Sequence, residues 1–133
     1  MYILDTNVIS AVRRPDRAPK VAAWLRGRAE QDLYLSVITL GEIERGIRQQ
    51  QARDPDFARD LKAWLDRTVL LFSDRILFFE AEDARIWGRL TAEIGHNGAD
   101  LMIAASALRR GATVVTGNVS DFVPTGVMLE NPF

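Results

Sequence analysis

Tyr2-Ile-Leu4 is an apolar run without polar alternation, and it stops at Asp5-Thr-Asn7. A short strand with no polar face belongs in the middle of a parallel sheet, where helices cover both sides. The rest of the chain supplies what such a strand requires. Leu33–Val37, Ile76–Phe79, Ala112–Thr116 and Val127–Leu129 read as further short strands. Between them lie stretches of helical periodicity at 7–13, 19–30, 39–53, 55–72, 80–94 and 100–110. Pro19 and Pro55 suit first helical turns, with Asp54 as a cap. Gly95-His-Asn-Gly98 and Gly111 break the chain. Regular alternation of strand and helix predicts an α/β fold: a three-layer α/β/α sandwich around a mainly parallel sheet, in one domain spanning residues 1–133.

In open sheets of this kind, ligands gather beyond the carboxyl ends of the strands. Asp5 is therefore expected at the floor of a cleft. Three other carboxylates fall on the same predicted edge. Glu42 lies in the first turn of the helix after the second strand, Asp100 starts the most apolar helix, and Asp121 closes the polar turn 117–121. Each has a simple structural reading. Asp5 can cap a helix, Thr39-Leu-Gly-Glu42 has the form of a capping box, Asp100 suits a helix dipole and Asp121 suits a turn. What favours a shared site is that right-handed crossovers bring strand ends and following helix starts to one edge.

Carboxylates crowded together raise one another's pKa until a cation relieves the repulsion. Cys is absent and His96 is the one histidine, which excludes thiolate and multi-histidine metal sites. Oxygen donors alone select a hard ion, Mg²⁺ with Mn²⁺ as substitute. Such an ion suits phosphodiester hydrolysis, because it activates water and neutralises charge on phosphate. Net charge is −1, so overall basicity says nothing about nucleic acid. The basic set is nevertheless skewed: only Lys20 and Lys62 among the 17 cationic residues are lysine, and Arg13–Arg14, Arg26/Arg28, Arg45/Arg48 and Arg109–Arg110 form local groups. No apolar stretch approaches a membrane span, and a reducing cytoplasm is the expected compartment.

The segments Ile3-Leu-Asp-Thr-Asn-Val-Ile9, Ser36-Val-Ile-Thr-Leu-Gly-Glu-Ile-Glu-Arg-Gly-Ile47, Asp100-Leu-Met-Ile-Ala-Ala-Ser-Ala-Leu108, Val115-Thr-Gly-Asn-Val-Ser-Asp-Phe122 and Asn131-Pro132 follow one another in this order. Together they resemble a PIN domain, in particular the VapC and FitB type toxin ribonucleases of bacterial toxin–antitoxin pairs. The resemblance implies the PIN form of the α/β/α sandwich and Mg²⁺- or Mn²⁺-dependent endoribonuclease activity. It also implies an RNA substrate, a homodimer, and neutralisation by a cognate VapB-like antitoxin. Position by position, Asp5, Glu42 and Asp100 match the acidic triad and Asp121 the usual fourth acid. Asp5 and Asp100 would hold the metal, with Glu42 and Asp121 acting directly or through water. Thr6 matches a hydroxyl that supports the first Asp, and Asn118 a polar position of the turn. Gly117 stands where the family often carries Arg; if that Arg touches phosphate, this chain must use another cation or bind substrate more weakly.

Two other readings compete. An Asp-nucleophile phosphatase also begins with Asp after its first strand, but it wants a second Asp two residues on, where this chain has Asn7. A catalytically idle PIN-type binding module has no need of all four acids. His96 is expected in an exposed loop, its functional alternative being a substrate contact near Asp100. Trp24, Trp64 and Trp87 are expected as packing anchors rather than base-stacking platforms.

Overall fold

The computed structural model describes residues 1–133. Five strands, β1 (Tyr2–Leu4), β2 (Leu33–Ser36), β3 (Ile76–Leu77), β4 (Thr113–Val115) and β5 (Met128–Glu130), form one sheet in the order β3-β2-β1-β4-β5. Every pairing is parallel. The strand order reverses between β1 and β4, and at such a switch point the following loops diverge and leave a crevice.

Seven helices cover the sheet: α1 (Thr6–Ala11), α2 (Pro19–Arg26), α3 (Val37–Gln51), α4 (Pro55–Leu71), α5 (Ala81–Ile94), α6 (Ala99–Arg110) and α7 (Val119–Phe122). Successive residues of a strand point to opposite faces. Leu4 and Val115 join one core with Val8, Val21, Ile47 and Leu65, from α1 to α4. Ile3 and Val114 join the other with Leu90, Ile103, Ala107 and Phe122, from α5 to α7. Those two cores are the predicted three layers. Trp24 and Trp64 pack against the first core and Trp87 against the second, as expected of anchors. Trp24 also donates its indole N–H to Glu130 (2.8 Å), pinning α2 to the edge strand β5.

Several boundaries differ from the sequence reading, each for a local reason. Ser36 accepts a hydrogen bond from the Ile38 N–H at 3.1 Å, so α3 starts at Val37 directly after β2. Thr39 is then fully buried inside the helix rather than capping it, and Glu42 falls in the second turn, not the first. Gly27 ends α2 early, and Glu30–Asp32 forms a separate 3₁₀ turn. The expected polar turn at 117–121 coils into α7, which places Asp121 on a helix. No helix is long and apolar enough to cross a membrane.

Asp83, buried on α5, closes this framework. Its carboxylate accepts the Glu80 N–H (2.9 Å) and pairs with Arg109 (2.5 Å) and Arg110 (3.1 Å) at the far end of α6. The Arg109–Arg110 pair is thereby committed to holding α6 on α5.

Candidate active site

Because β1 ends at Leu4, Asp5 leaves the sheet and becomes the N-cap of α1. Its own N–H still donates to Val115 O (2.9 Å), so the residue stays bound to the β1–β4 seam. The carboxylate is nearly buried, at 5% exposure, and fully engaged. One oxygen accepts the Thr6 N–H at 2.8 Å. The other accepts the Thr116 hydroxyl at 2.7 Å and the Asn7 amide at 3.2 Å. Thr116 Oγ1 in turn accepts the Asn118 N–H at 2.9 Å, while Asn7 Oδ1 accepts the Gly117 N–H at 3.2 Å. Asp5 is thus fixed by the loops that diverge from two adjacent strands.

Glu42 reaches the same place from α3. It accepts the Thr6 hydroxyl at 2.6 Å, and that hydroxyl lies 3.3 Å from Thr39 Oγ1. Thr6 therefore serves Asp5 through its N–H and Glu42 through its hydroxyl. Asp100 stands in the first turn of α6, after the Gly98 cap. Asp121 projects from α7 and is exposed. Asn118 contributes its backbone, since its side chain makes no cap to α7.

Electrostatics shows the convergence. Burial pushes the Asp5 carboxyl above its ordinary value; hydrogen bonds from Thr116 and Thr6 oppose this, and the charges of Asp100 and Glu42 reinforce it. Asp100 is likewise raised, by burial first and then by Asp121 and Glu42, with exposed His96 pulling the other way. Each acid thus feels at least one other, and the four form a connected set. The donors are all oxygen, which fits a hard divalent ion and no soft one. No three acidic or histidine side chains are gathered as a coordination shell. The Asp100 and Asp121 carboxylates are tied to no other residue by a hydrogen bond, in contrast to the anchored Asp5 and Glu42. An apolar recess of about 460 Å³ between α2 and α4 lies apart from these acids.

Thr116 and Thr39 are supporting residues that the sequence reading did not assign to the site, and they join Asn7, the polar neighbour behind Asp5. Thr116 was findable: it ends the 112–116 apolar run as Asp5 ends the first. Thr116→Val is expected to raise the Asp5 pKa further, because a hydrogen bond to the ionised form is lost. Any activity that needs ionised Asp5 should then show its acid limb about one pH unit higher, with rescue by Thr116→Ser. A pH–rate profile checks this; an unmoved limb would detach Thr116 from Asp5.

The sequence matches the PIN domain family over residues 2–122. It is 34% identical to the toxin FitB of Neisseria gonorrhoeae, across all of this chain and 99% of that protein. A chain of the FitAcB crystal structure from the same organism superposes with a TM-score of 0.86 at 33% identity, covering 99% of this chain and 98% of that one. VapC ribonuclease Y4jK of Sinorhizobium fredii is 34% identical, again across all of this chain and 98% of the relative. A chain of VapBC-5 from Mycobacterium tuberculosis, described as a member of the VapBC family of toxin–antitoxin systems, is 28% identical with a TM-score of 0.52, over 74% of this chain and 79% of that one.

Proposed function

The chain belongs to the PIN domain family, and from that premise we propose that it is the ribonuclease toxin of a toxin–antitoxin pair, with Asp5, Glu42, Asp100 and Asp121 as its catalytic acids. RNA is the substrate in this reading. An antitoxin protein is the neutralising partner, and a second copy of the chain completes a homodimer. The observation that carries the proposal is the connected acid set at the β1–β4 switch point, with Asp5 and Asp100 both driven above their ordinary pKa. Surface acids placed for solubility avoid one another; here Thr6 and Thr116 fix Asp5 and Glu42 at the strand end that Asp100 also faces electrostatically.

Mg²⁺ or Mn²⁺ bound there would supply an activated water and neutralise charge on the phosphate and leaving oxygen. The chain itself does the positioning. Thr116, Asn7 and the Thr6 N–H lock Asp5 in one rotamer, so its carboxylate is presented without reorganisation. Thr6 holds Glu42 in place from the opposite side. Asp100 arrives on a helix buried along its length, which fixes its backbone if not its side chain. The idle-module reading leaves this concentration of negative charge, one carboxylate of it buried, without a use.

The direct test is incubation of the purified protein with RNA in Mg²⁺ or Mn²⁺, with and without EDTA. Cleavage with internal cuts, abolished by the chelator, is the expected result; intact RNA under every divalent ion sinks the reading. Proton competition gives a second expected result. Since Asp5 and Asp100 hold their protons to higher pH than ordinary carboxyls, Mn²⁺ affinity should strengthen as pH rises through those values, with proton release on binding. Calorimetry in two buffers of different ionisation enthalpy measures that release, and pH-independent binding would place the ion elsewhere.

A further inference from the structure

A recess of about 520 Å³ opens between α1 and the start of α2, and Arg13, Arg14, Arg17 and Lys20 line it. No acidic side chain lines it. None of the four cations takes part in any of the protein's ion pairs. Arg14, Arg17 and Lys20 are exposed. This differs sharply from Arg109, Arg110 and Arg28, which are spent on Asp83 and Glu130.

The recess is joined to the acid set at one end and reaches the turn after β4 at the other. A smaller recess of about 290 Å³ has Thr6 and Glu42 in its wall, and it shares Ser10 and Arg13 with the basic one. Arg13 is the one cation among its lining residues, its guanidinium 5.1 Å from the Phe57 ring centre. At the other end the Phe133 ring lines the basic recess and packs on Gly117, where a Cβ would lie only 2.9 Å from it. That keeps position 117 of the turn beside Asp5 without a side chain, and therefore without a cation. Helix α1 separates the acids from the basic recess by about 9 Å, the length of six helical residues.

We propose that the Arg13–Arg14–Arg17–Lys20 recess holds the phosphate backbone of single-stranded RNA beside the scissile bond, with Arg13 passing the strand to the acid set. This rests on the ribonuclease reading. A polyanion approaching four carboxylates is repelled, and a chain with net charge −1 offers no global attraction to offset it. Local cations at the same edge do offset it, and guanidinium groups meet phosphate oxygens bidentately. Phosphate contacts position a strand without reading its bases, so the recess fixes register and leaves base choice to other surfaces.

The test measures anisotropy of labelled oligouridine on the full chain in EDTA, across a salt series. The triple variant Arg14→Gln/Arg17→Gln/Lys20→Gln should bind at least about tenfold more weakly near 0.1 M salt, with a log–log salt slope flatter by about 2, at roughly 0.7 per lost contact. The double variant Arg14→Lys/Arg17→Lys should keep the wild-type slope, which assigns the effect to charge rather than packing. A triple variant with unchanged melting temperature and unchanged affinity and slope overturns the proposal. So does a variant that binds oligouridine normally but loses polyglutamate, which would make the recess a dock for an acidic protein segment. Binding in EDTA is read whether or not the protein cuts. Failure of the wild type to cleave in Mg²⁺ or Mn²⁺ would therefore sink the ribonuclease reading while these arms still decide the recess.

Discussion

Asp100→Asn is expected to abolish RNA cleavage, by about a thousandfold or more, while raising the melting temperature of the metal-free protein at neutral pH. The two effects share one cause. In the proposed site, loss of an acid that would hold the ion removes several kcal/mol of transition-state stabilisation, and about 4 kcal/mol is a thousandfold in rate. In the absence of the ion the same charge is a liability, because burial, Asp121 and Glu42 all disfavour ionised Asp100. The sign follows from linkage. A carboxyl with a raised folded-state pKa favours the fold fully below its unfolded pKa, near 4, and loses that contribution as pH rises through the folded value. Asparagine keeps the shape without the charge. The gain should be about 2 °C at pH 7, allowing for solvent screening of a half-exposed group, and should vanish near pH 4. Asp5→Asn should lose activity equally but gain less stability, because an amide NH₂ would face the Thr116 hydroxyl or the Thr6 N–H, both donors. Thermal melts in EDTA and a cleavage assay decide it. A variant that cuts at the wild-type rate and melts no higher removes Asp100 from the site.

Periodicity made the fold legible because the strands are short, apolar and buried on both faces. Ile3 and Leu4 serve different cores, which is why no polar residue interrupts them. Boundaries were less legible. Ser36 caps α3 with no loop after β2, so Thr39, placed like a cap in the sequence, is instead a buried residue of the first turn. The turn after β4 looked irregular because Gly117 and Asn118 open it, yet four residues are enough to coil as α7.

At the site, the acids were legible through topology: strand ends and helix starts share an edge whenever the sheet is parallel. Their hydrogen-bond partners were less so: Thr116 stands out as the end of an apolar run, but its pairing with Asp5 depends on the β1–β4 neighbour relation, 111 residues apart in sequence. The arginine groups were legible only as groups. Arg109–Arg110 and Arg13–Arg14 look alike in sequence, but Asp83 claims the first and no acid side chain claims the second. Asp83 itself gave no signal, since an acid in the first turn of a helix ordinarily faces solvent.

That hidden acid carries the largest expected effect on stability. Asp83→Ala should cost about 3–5 kcal/mol, the range for breaking a buried pair by removing one partner. Asp83 is fully buried, and its loss would strand the guanidiniums of Arg109 and Arg110, whose side chains are 23% and 14% exposed, and leave the Glu80 N–H unpaired. Against a total of roughly 5–15 kcal/mol for a domain of this kind, that is a large share. Burial alone would raise the Asp83 carboxyl; the Arg109 bond, the Glu80 N–H and the Arg110 charge overcome it and hold it below its ordinary value. Its contribution is therefore present above pH 4 and is lost as pH falls through the lowered pKa, so wild type and variant should converge in acid. Urea unfolding at pH 7 and at low pH, with equal slopes, measures both points. The effect should also reach the site, because Asp83 grips the end of α6 opposite the one that presents Asp100. A cost under about 1 kcal/mol would show that the freed arginines settle on Glu80, Ser106 O and Phe78 O, which they already touch, and that α6 needs no central acid to stay in place.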